Sequence, residues 1–284
     1  MLLFPTWFIL AALTGFVSNG FNYLNRFILK DGDDATAYGW YLQLLCTIVF
    51  GSLAIFDWHL ILTPYSILLF IIYGLTEFVG VYFYMKMHAF NDLSISSILT
   101  RTRLIWVPLI AFFLINEQLV TTDYASIAII FIGVSITMSP KKLLVDKGAI
   151  YANLSAFIIA INVVITKMLL PYGSNSVLMT ALALPSIFLM PIFMKSRKQR
   201  ITTLFRTNIL LKTFSIGLSI AALYLFMAAM RVGDASKVNA VYQGMMIFAV
   251  IAGIIFLKER KNIIKKLIGA TITVAGVVLL SLSW

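Results

Sequence analysis

The sequence predicts an all-α integral membrane protein in which ten transmembrane helices form two inverted five-helix repeats. Three observations support this fold class. The composition is too apolar for a water-soluble domain. Ten apolar runs are each close to the length that crosses a bilayer. The second half of the chain repeats features of the first, with the opposite charge in equivalent loops.

The composition excludes most soluble classes of protein. Hydrophobic residues make up 61% of the 284 residues and charged residues only 12%, whereas a soluble domain carries roughly a quarter charged residues. The formal net charge is +11, but most basic residues lie in short breaks between apolar runs, as in cytoplasmic loops, so we expect no nucleic-acid partner. Cys46 is the only cysteine, which excludes a disulfide or a cysteine-based metal site. We expect no cofactor and no metal.

The spans follow from the apolar runs between polar breaks. In chain order they are predicted at about 5–29, 36–56, 65–88, 94–115, 121–138, 148–170, 176–194, 209–231, 237–257 and 263–283. A helix needs roughly 20 residues to cross the hydrocarbon core. The breaks are short and hold turn formers such as Asn91-Asp92, so the chain has no room for a soluble domain.

An offset of about 142 residues brings the two halves of the chain into register. The matching segments are Tyr82 to Met85 with Tyr224 to Met227, Asp92 to Ser94 with Asp234 to Ser236, and Phe113 to Glu117 with Ile255 to Glu259. Several matches in the same order indicate a duplication. We therefore divide the chain into a first repeat at 1–140 and a second at 141–284, packed as one bundle.

The loop charges indicate that the second repeat is inverted. Each repeat holds five spans, an odd number, so the second enters the membrane from the opposite face. The loop after the second span has no Lys or Arg, while its counterpart after the seventh has six, between Lys195 and Lys212. The positive-inside rule then places the basic loops in the cytoplasm and both termini outside. We expect a multi-pass protein of the cell (inner) membrane, monomeric or homodimeric.

These features resemble the drug/metabolite transporter superfamily, and within it the ten-helix EamA-like branch. The resemblance rests on Tyr82 to Glu117 with Gly133, and on Tyr224 to Glu259 with Gly269 and Gly276. It implies alternating access around a central cavity lined mainly by spans one, three, four, six, eight and nine. Related transporters move amino acids, other metabolites, sugars or nucleotide-linked sugars. This sequence departs from the family in its predicted external termini and in two arginines of the fourth span.

Charged residues inside the third and fourth spans are the sharpest candidates for a site. Charges within a span are costly and usually face a bundle interior or a wet cavity. Glu77 shares a helical stripe with Tyr84, and the turn at Asn91-Asp92 makes the two spans antiparallel neighbours. Counted from this turn, the membrane depths of Glu77 and of the two arginines differ by roughly 5 Å. We therefore predict that Glu77 meets Arg103 or Arg101. Such a site would bind a substrate carboxylate or phosphate through arginine and a coupling proton through Glu77; the alternative is a structural ion pair.

Other polar side chains are weaker candidates for a cavity lining. They are Asn22 in the first span, Asn162 in the sixth, Asn239, Tyr242 and Gln243 in the ninth, and the repeat-related Tyr82 and Tyr224. Amides also join packed helices and tyrosines also sit at the lipid interface. For Lys167 and Arg26 we expect interfacial anchoring. Glu117 and Glu259 end their helices, and we interpret both as structural caps or turn contacts.

The leading hypothesis is a secondary transporter of a small polar metabolite, amino acid-like or otherwise anionic or zwitterionic, with proton-coupled export as one form of this hypothesis. The alternative within the superfamily is a sugar or nucleotide-sugar carrier. A channel or scaffold is less favoured, because ten spans can enclose a cavity without oligomerising. An enzyme is disfavoured because the two histidines are isolated, no His-Glu-x-x-His zinc motif occurs, and no Gly-x-x-x-x-Gly-Lys-Ser/Thr phosphate loop is present.

Overall fold

The computed structural model describes residues 4–30, 34–90, 99–138, 147–245 and 263–282. Helices dominate these residues. They are α1 (Thr6–Lys30), α2 (Ala35–Ala54), α3 (Pro64–Phe90), α4 (Arg103–Ile115), α5 (Thr121–Met138), α6 (Lys147–Leu169), α7 (Asn175–Leu189), α8 (Arg197–Arg206), α9 (Ile209–Val232), α10 (Ala235–Gly244) and α11 (Ile263–Leu282). Two 3-10 turns, Leu170–Tyr172 and Met190–Phe193, extend α6 and α7.

Six helical segments are long and apolar enough to cross a membrane: Ala35–Ala54, Pro64–Met87, Ile150–Tyr172, Asn175–Phe193, Ile209–Val232 and Ile264–Leu282. Two shorter apolar helices, Arg103–Ile115 and Thr121–Thr137, lie between them in the sequence. Within a bilayer every backbone polar group must be bonded inside the protein, and helices achieve this without a partner segment. The chain is therefore a multi-pass integral membrane protein. Parts of the fourth and ninth predicted spans lie outside the described residues.

The bundle is built from antiparallel helix pairs. Helix α5 packs along α11, α1 along α9, α3 along α6, and α2 along α7. Smaller pairings connect these pairs, among them α3 with α7, α4 with α6 and α1 with α10, and α4 also meets α10. In the pair of α3 and α6, Glu77 contacts Asn162 and Tyr73 contacts Thr166. The residue numbers of the contacts fall along α3 where they rise along α6, so the two helices run antiparallel.

Glycines bring α5 and α11 into backbone contact. A Cβ atom on Gly133 would lie 2.5 Å from the Thr273 nitrogen, and one on Gly269 would lie 2.5 Å from the Thr137 nitrogen. Each threonine hydroxyl donates a hydrogen bond to the glycine carbonyl one turn earlier on its own helix, at 2.8 Å. Because water cannot drive helices together in lipid, close van der Waals packing at small residues stabilises such a pair.

Long-range caps fix the ends of several helices. The two Glu117 carboxylate oxygens accept from the backbone N–H groups of Ala235 and Ser236, at 2.9 and 3.0 Å, at the start of α10. Glu117 is therefore a structural cap, but of a helix distant in the sequence and not of the helix that it follows; Glu259 lies outside the described residues. The Lys167 ammonium donates to the carbonyls of Met230 and Gly233, both at 2.7 Å, at the end of α9, where the helix dipole favours a cation.

The basic loop after the seventh predicted span contains a short helix. Within it lies the ten-residue helix α8, which buries Leu204 and presents basic residues on its other faces. Arg200 pairs with Asp34, the N-cap residue of α2. The Lys212 ammonium turns inward and donates to the Leu204 carbonyl at 3.2 Å and the Thr207 hydroxyl at 2.6 Å. These contacts hold α8 against α2 and α9.

Candidate functional site

A glutamate cluster, formed by Gln43, Thr76, Glu77 and Asn162, lies at the middle of the bundle. Glu77 sits at the midpoint of α3, and its two carboxylate oxygens accept from the Gln43 amide of α2 at 2.9 Å and from the Asn162 amide of α6 at 3.0 Å. The Thr76 hydroxyl donates to the Asn162 oxygen and thereby fixes the orientation of that amide. Three helices thus converge on one carboxyl group.

The predicted contact of Glu77 with Arg103 or Arg101 is wrong. The prediction assumed that α3 and α4 are close neighbours because one turn joins the third and fourth spans. In the structure α6 packs against both α3 and α4. The side-chain amides of Asn162 on α6 and of Gln43 donate the hydrogen bonds to the Glu77 carboxylate. Among the described residues no ion pair involves Glu77.

A second group, the arginine cluster, consists of Arg101, Arg103, Tyr84, Asn239, Tyr242 and Gln243. Arg101 lies in the turn before α4, is almost fully buried, and donates to the side-chain oxygen of Gln243. The Arg103 guanidinium hydrogen-bonds the Tyr242 hydroxyl and also donates from Nε to the Thr100 carbonyl at 3.1 Å. The start of α4 therefore presents two guanidinium groups toward α10.

Helix α10 supplies the polar wall of the arginine cluster. The Asn239 amide donates to the Arg103 carbonyl at 3.5 Å, and the Gln243 amide donates to the Asn239 oxygen at the same distance. Both side chains are fully buried, so these bonds form away from lipid and bulk water. Because Glu117 caps the start of α10, it acts at a distance on the position of these amides.

Tyrosine hydroxyls join the arginine cluster to α1 and α3. Tyr84 donates to the Asn22 oxygen at 2.9 Å, and Tyr242 lies 3.2 Å from the Ser18 hydroxyl. Both tyrosines interact electrostatically with Arg101 and Arg103. Arg103, Tyr84, Tyr242 and Asn22 are only partly buried, whereas Arg101 and Gln243 are enclosed. The arrangement offers cationic, hydroxyl and amide groups to a polar solute at one place.

Helix α3 connects the two clusters. Glu77 and Tyr84 are seven residues apart, which is about two helical turns, and so lie on the same face roughly 10 Å apart along the axis. A movement of α3 would therefore displace both groups together.

The sequence named most of these side chains, but not all of them meet. Tyr82 packs in an aromatic group with Phe78 and Phe193, and Tyr224 is about half exposed on α9, so the structure brings neither into the two clusters. Gln43 was not among the predicted site residues, although an isolated amide in an otherwise apolar run indicates a buried polar contact. The side chains of Arg26 and His88 lie outside the described residues.

An apolar helical bundle that encloses such polar groups belongs to the class of multi-pass membrane proteins with an internal polar site. Comparison with known proteins gives a family match over the second half of the chain. Residues 146–282 match the model of the EamA-like transporter family, which belongs to the drug/metabolite transporter superfamily. The match confirms the resemblance over the residues that it covers.

A crystal structure of another protein shares the fold over nearly the whole chain. It is 14% identical in sequence and superposes with a TM-score of 0.71, and the alignment covers 96% of this chain and 98% of that one. At this identity the similarity concerns the fold alone. Among curated proteins, none gives a significant match.

Proposed function

We propose that this membrane transporter carries a small anionic or zwitterionic metabolite, such as an amino acid-like solute, by alternating access. The arginine cluster would bind the carboxylate or phosphate of the solute, and Glu77 would bind and release a coupling proton. The basic loops would face the cytoplasm and the termini the outside of the cell membrane, as the positive-inside rule requires.

The observation that carries this proposal is the position of Arg103. Its guanidinium is partly buried between α4 and α10, its neighbours are Arg101, Tyr242 and the Thr100 carbonyl, and within the described part of the chain it forms no ion pair. A cation held beside another cation inside a membrane protein is costly unless an anion or a wet cavity compensates it. A substrate carboxylate would supply that charge and accept two parallel hydrogen bonds from one guanidinium.

The surroundings of Glu77 support a role in proton exchange. The Gln43 amide can rotate so that its oxygen, instead of its nitrogen, faces the carboxyl group. The same pocket can therefore hydrogen-bond an ionised Glu77 as acceptor or a protonated Glu77 as donor. Ionisable residues at mid-membrane depth commonly serve as proton relays in transporters.

The pairing of helices supports the inverted repeat that alternating access requires. With ten spans, α1 and α6 are counterparts, as are α2 and α7, α3 and α9, and α5 and α11. Under this exchange the pair of α1 and α9 becomes the pair of α6 and α3, and both contacts occur. Two halves of this kind can rock against each other around a fixed site.

A binding experiment tests the arginine cluster. Purified protein is screened by thermal shift against amino acids, dicarboxylates, sugars and nucleotide sugars, and the stabilising solute is titrated against the Arg103→Gln variant. We expect an anionic or zwitterionic solute to stabilise the protein and the variant to bind it roughly 10- to 100-fold more weakly, since a hydrogen bond to a charged group contributes about 1.5–3 kcal/mol. The matched control is Lys265→Gln, which removes an exposed cation outside both clusters.

The same screen distinguishes the alternative. A neutral sugar that stabilises the protein, with an affinity that Arg103→Gln leaves unchanged, would favour a sugar carrier and overturn the proposed role of the arginines. A nucleotide sugar would retain the role of Arg103 but change the substrate class.

Proton coupling is tested separately in proteoliposomes with the identified solute. A pH gradient is expected to drive concentrative uptake by the unsubstituted protein, and Glu77→Gln is expected to abolish this while solute exchange continues. Uptake that follows the pH gradient equally well in the Glu77→Gln variant would exclude Glu77 as the proton site. Gln43→Leu serves as a second variant, because it alters the pocket and leaves the carboxyl group in place.

A further inference from the structure

A groove separate from both clusters lies beside α8 at one face of the membrane bundle. Its volume is about 950 Å³, and it runs between the 3-10 turn Met190–Phe193 and α8. Pro191, Ile192 and Met194 form its apolar side, and Arg197, Lys198 and Arg206 form its polar side. We call this feature the basic groove.

In the part of the chain that the structure describes, no carboxylate pairs with the three cations of the basic groove. Arg200, on the same helix, is paired with Asp34, and Lys212 is turned inward to cap the end of α8. Arg197, Lys198 and Arg206 are exposed and form no ion pair within the described residues. The positive charges of Arg197, Lys198 and Arg206 on α8 therefore line the groove.

The apolar side of the groove continues into the lipid-facing surface. Ile192 and Phe193 are 69% and 61% exposed at the end of a membrane-crossing segment, and Leu210, at the start of α9, is 84% exposed. At the end of a membrane-crossing segment, apolar side chains with this exposure are expected to contact lipid. The groove therefore combines a cationic rim with a floor that borders hydrocarbon.

The groove is held rigidly. Leu204 is buried beneath α8, the Phe205 ring packs edge-on against Tyr41 at 5.3 Å, and Arg200 binds the N-cap residue of α2. A short basic helix without such contacts would fray in water. A site that is formed before binding loses less conformational entropy on binding.

We propose that the basic groove binds the headgroup of an anionic phospholipid. The phosphate lies against Arg197, Lys198 and Arg206, and the glycerol and first acyl carbons lie over Pro191 and Ile192. A free phosphate ion would use only the rim, whereas a lipid uses the rim and the apolar floor together. This inference is independent of the transported solute, because the groove shares no residue with either cluster.

The test measures how lipids stabilise the purified full-length protein in a neutral detergent. Phosphatidylglycerol, phosphatidylcholine, inorganic phosphate and glycerol phosphate are titrated separately, and the unfolding temperature and the lipids retained in native mass spectrometry are recorded. We expect phosphatidylglycerol to raise the unfolding temperature, with little effect from the other three. Each basic residue near an anionic headgroup contributes enough that Arg197→Gln weakens the apparent affinity about fivefold, and Arg197→Gln with Arg206→Gln about 30-fold.

Lys265→Gln is the matched control, because it removes one exposed cation at the start of α11, outside the groove. An equal loss of affinity in Lys265→Gln and Arg197→Gln would mean general charge attraction and overturn the site. An equal effect of phosphatidylcholine would show that the headgroup charge is not recognised, and an equal effect of inorganic phosphate would replace the lipid by a free anion. Since Arg197 and Arg206 are exposed, the variants are expected to unfold at the wild-type temperature when lipid is absent.

Discussion

Arg101 donates a hydrogen bond to Gln243, which lies 142 residues later in the chain. The sequence repeat has the same offset, so the two residues hold equivalent positions in the proposed halves. In a structure with two-fold pseudosymmetry a residue meets its own counterpart only near the axis. The proposed axis would therefore pass between α4 and α10 at this bond, and the arginine cluster would lie where the two halves move against each other.

The first prediction concerns an exchange of these two side chains. Arg101→Gln removes a charged hydrogen-bond donor, and Gln243→Arg places a third guanidinium beside two others, so each single variant should lose roughly 1–3 kcal/mol of stability. Combining them restores one arginine facing one glutamine across the axis. We expect the combined variant to recover at least half of the summed loss in thermal unfolding in detergent. A loss equal to the sum of the two single variants would argue against equivalent positions.

The second prediction concerns the pH dependence of the Asp34–Arg200 pair. Burial alone would raise the pKa of the Asp34 carboxyl, but hydrogen bonds from Arg200, Ala37 and Thr36 outweigh it and hold that pKa below its usual value. The ionised form is thus favoured by folding, and its stabilisation is complete above the unfolded-state pKa of about 3.9 and is lost as the pH falls through the folded-state pKa. Thermal unfolding of wild type and Asp34→Asn should differ equally at pH 7 and pH 5, and less below about pH 4.

The choice of Asp34→Asn separates the ion pair from the helix cap. Asparagine is as good an N-cap residue as aspartate, so this variant retains the bonds to Thr36 and Ala37 and loses the charge. Because both side chains are partly exposed, we expect a loss of at most about 1 kcal/mol. Asp34→Ala removes the cap as well and should cost roughly a further 1 kcal/mol. A difference between wild type and Asp34→Asn that already changes between pH 7 and pH 5 would contradict the assignment.

The third prediction tests the distant cap on α10. Asp234 occupies the N-cap position but its side chain makes no capping bond there, and Glu117 binds the first two N–H groups instead. Glu117→Gln should lower stability by about 1–2 kcal/mol, because a charged acceptor is lost at the positive end of a helix. Asp234→Asn, at the same helix end, is the matched control and should have a smaller effect. Equal losses in the two variants would mean that only local charge matters.

Six of the predicted spans correspond to described helices that are long and apolar enough to cross lipid, because length and apolar composition determine this property. The sequence suggested that Glu117 is a cap or a turn contact, but not that the helix it caps is α10. It could not predict the partners of Glu77. Those depend on which helices are neighbours, and α6, distant in sequence, packs against α3 where a local turn suggested α4. Helix α8 was missed for a related reason: this short, mostly polar segment is held in place by contacts with Asp34 and Lys212 and by the packing of Leu204.

The fourth prediction compares two glycines that differ only in what surrounds them. On Gly133 a Cβ atom would lie 2.5 Å from both the nitrogen and the hydroxyl of Thr273 and 2.8 Å from the Gly269 carbonyl, so α5 and α11 would have to separate. On Gly217, in α9, a Cβ atom meets nothing within 4 Å. Gly133→Ala should therefore destabilise the protein by roughly 1–3 kcal/mol, as overpacking does.

Gly217→Ala is the control for the general effect of replacing a helical glycine, which by itself stabilises the protein. Alanine is preferred over glycine in a helix interior by about 0.5–1 kcal/mol, so this variant should unfold at the same or a higher temperature than wild type. Thermal unfolding followed by tryptophan fluorescence gives both values in one experiment. If Gly133→Ala proved as harmless as Gly217→Ala, the backbones of α5 and α11 could not be in contact, and the tightest pairing between the two halves of the chain would be lost. Gly269→Ala adds a second measurement, since its Cβ atom would meet Thr137 from the opposite side and should cost a similar amount.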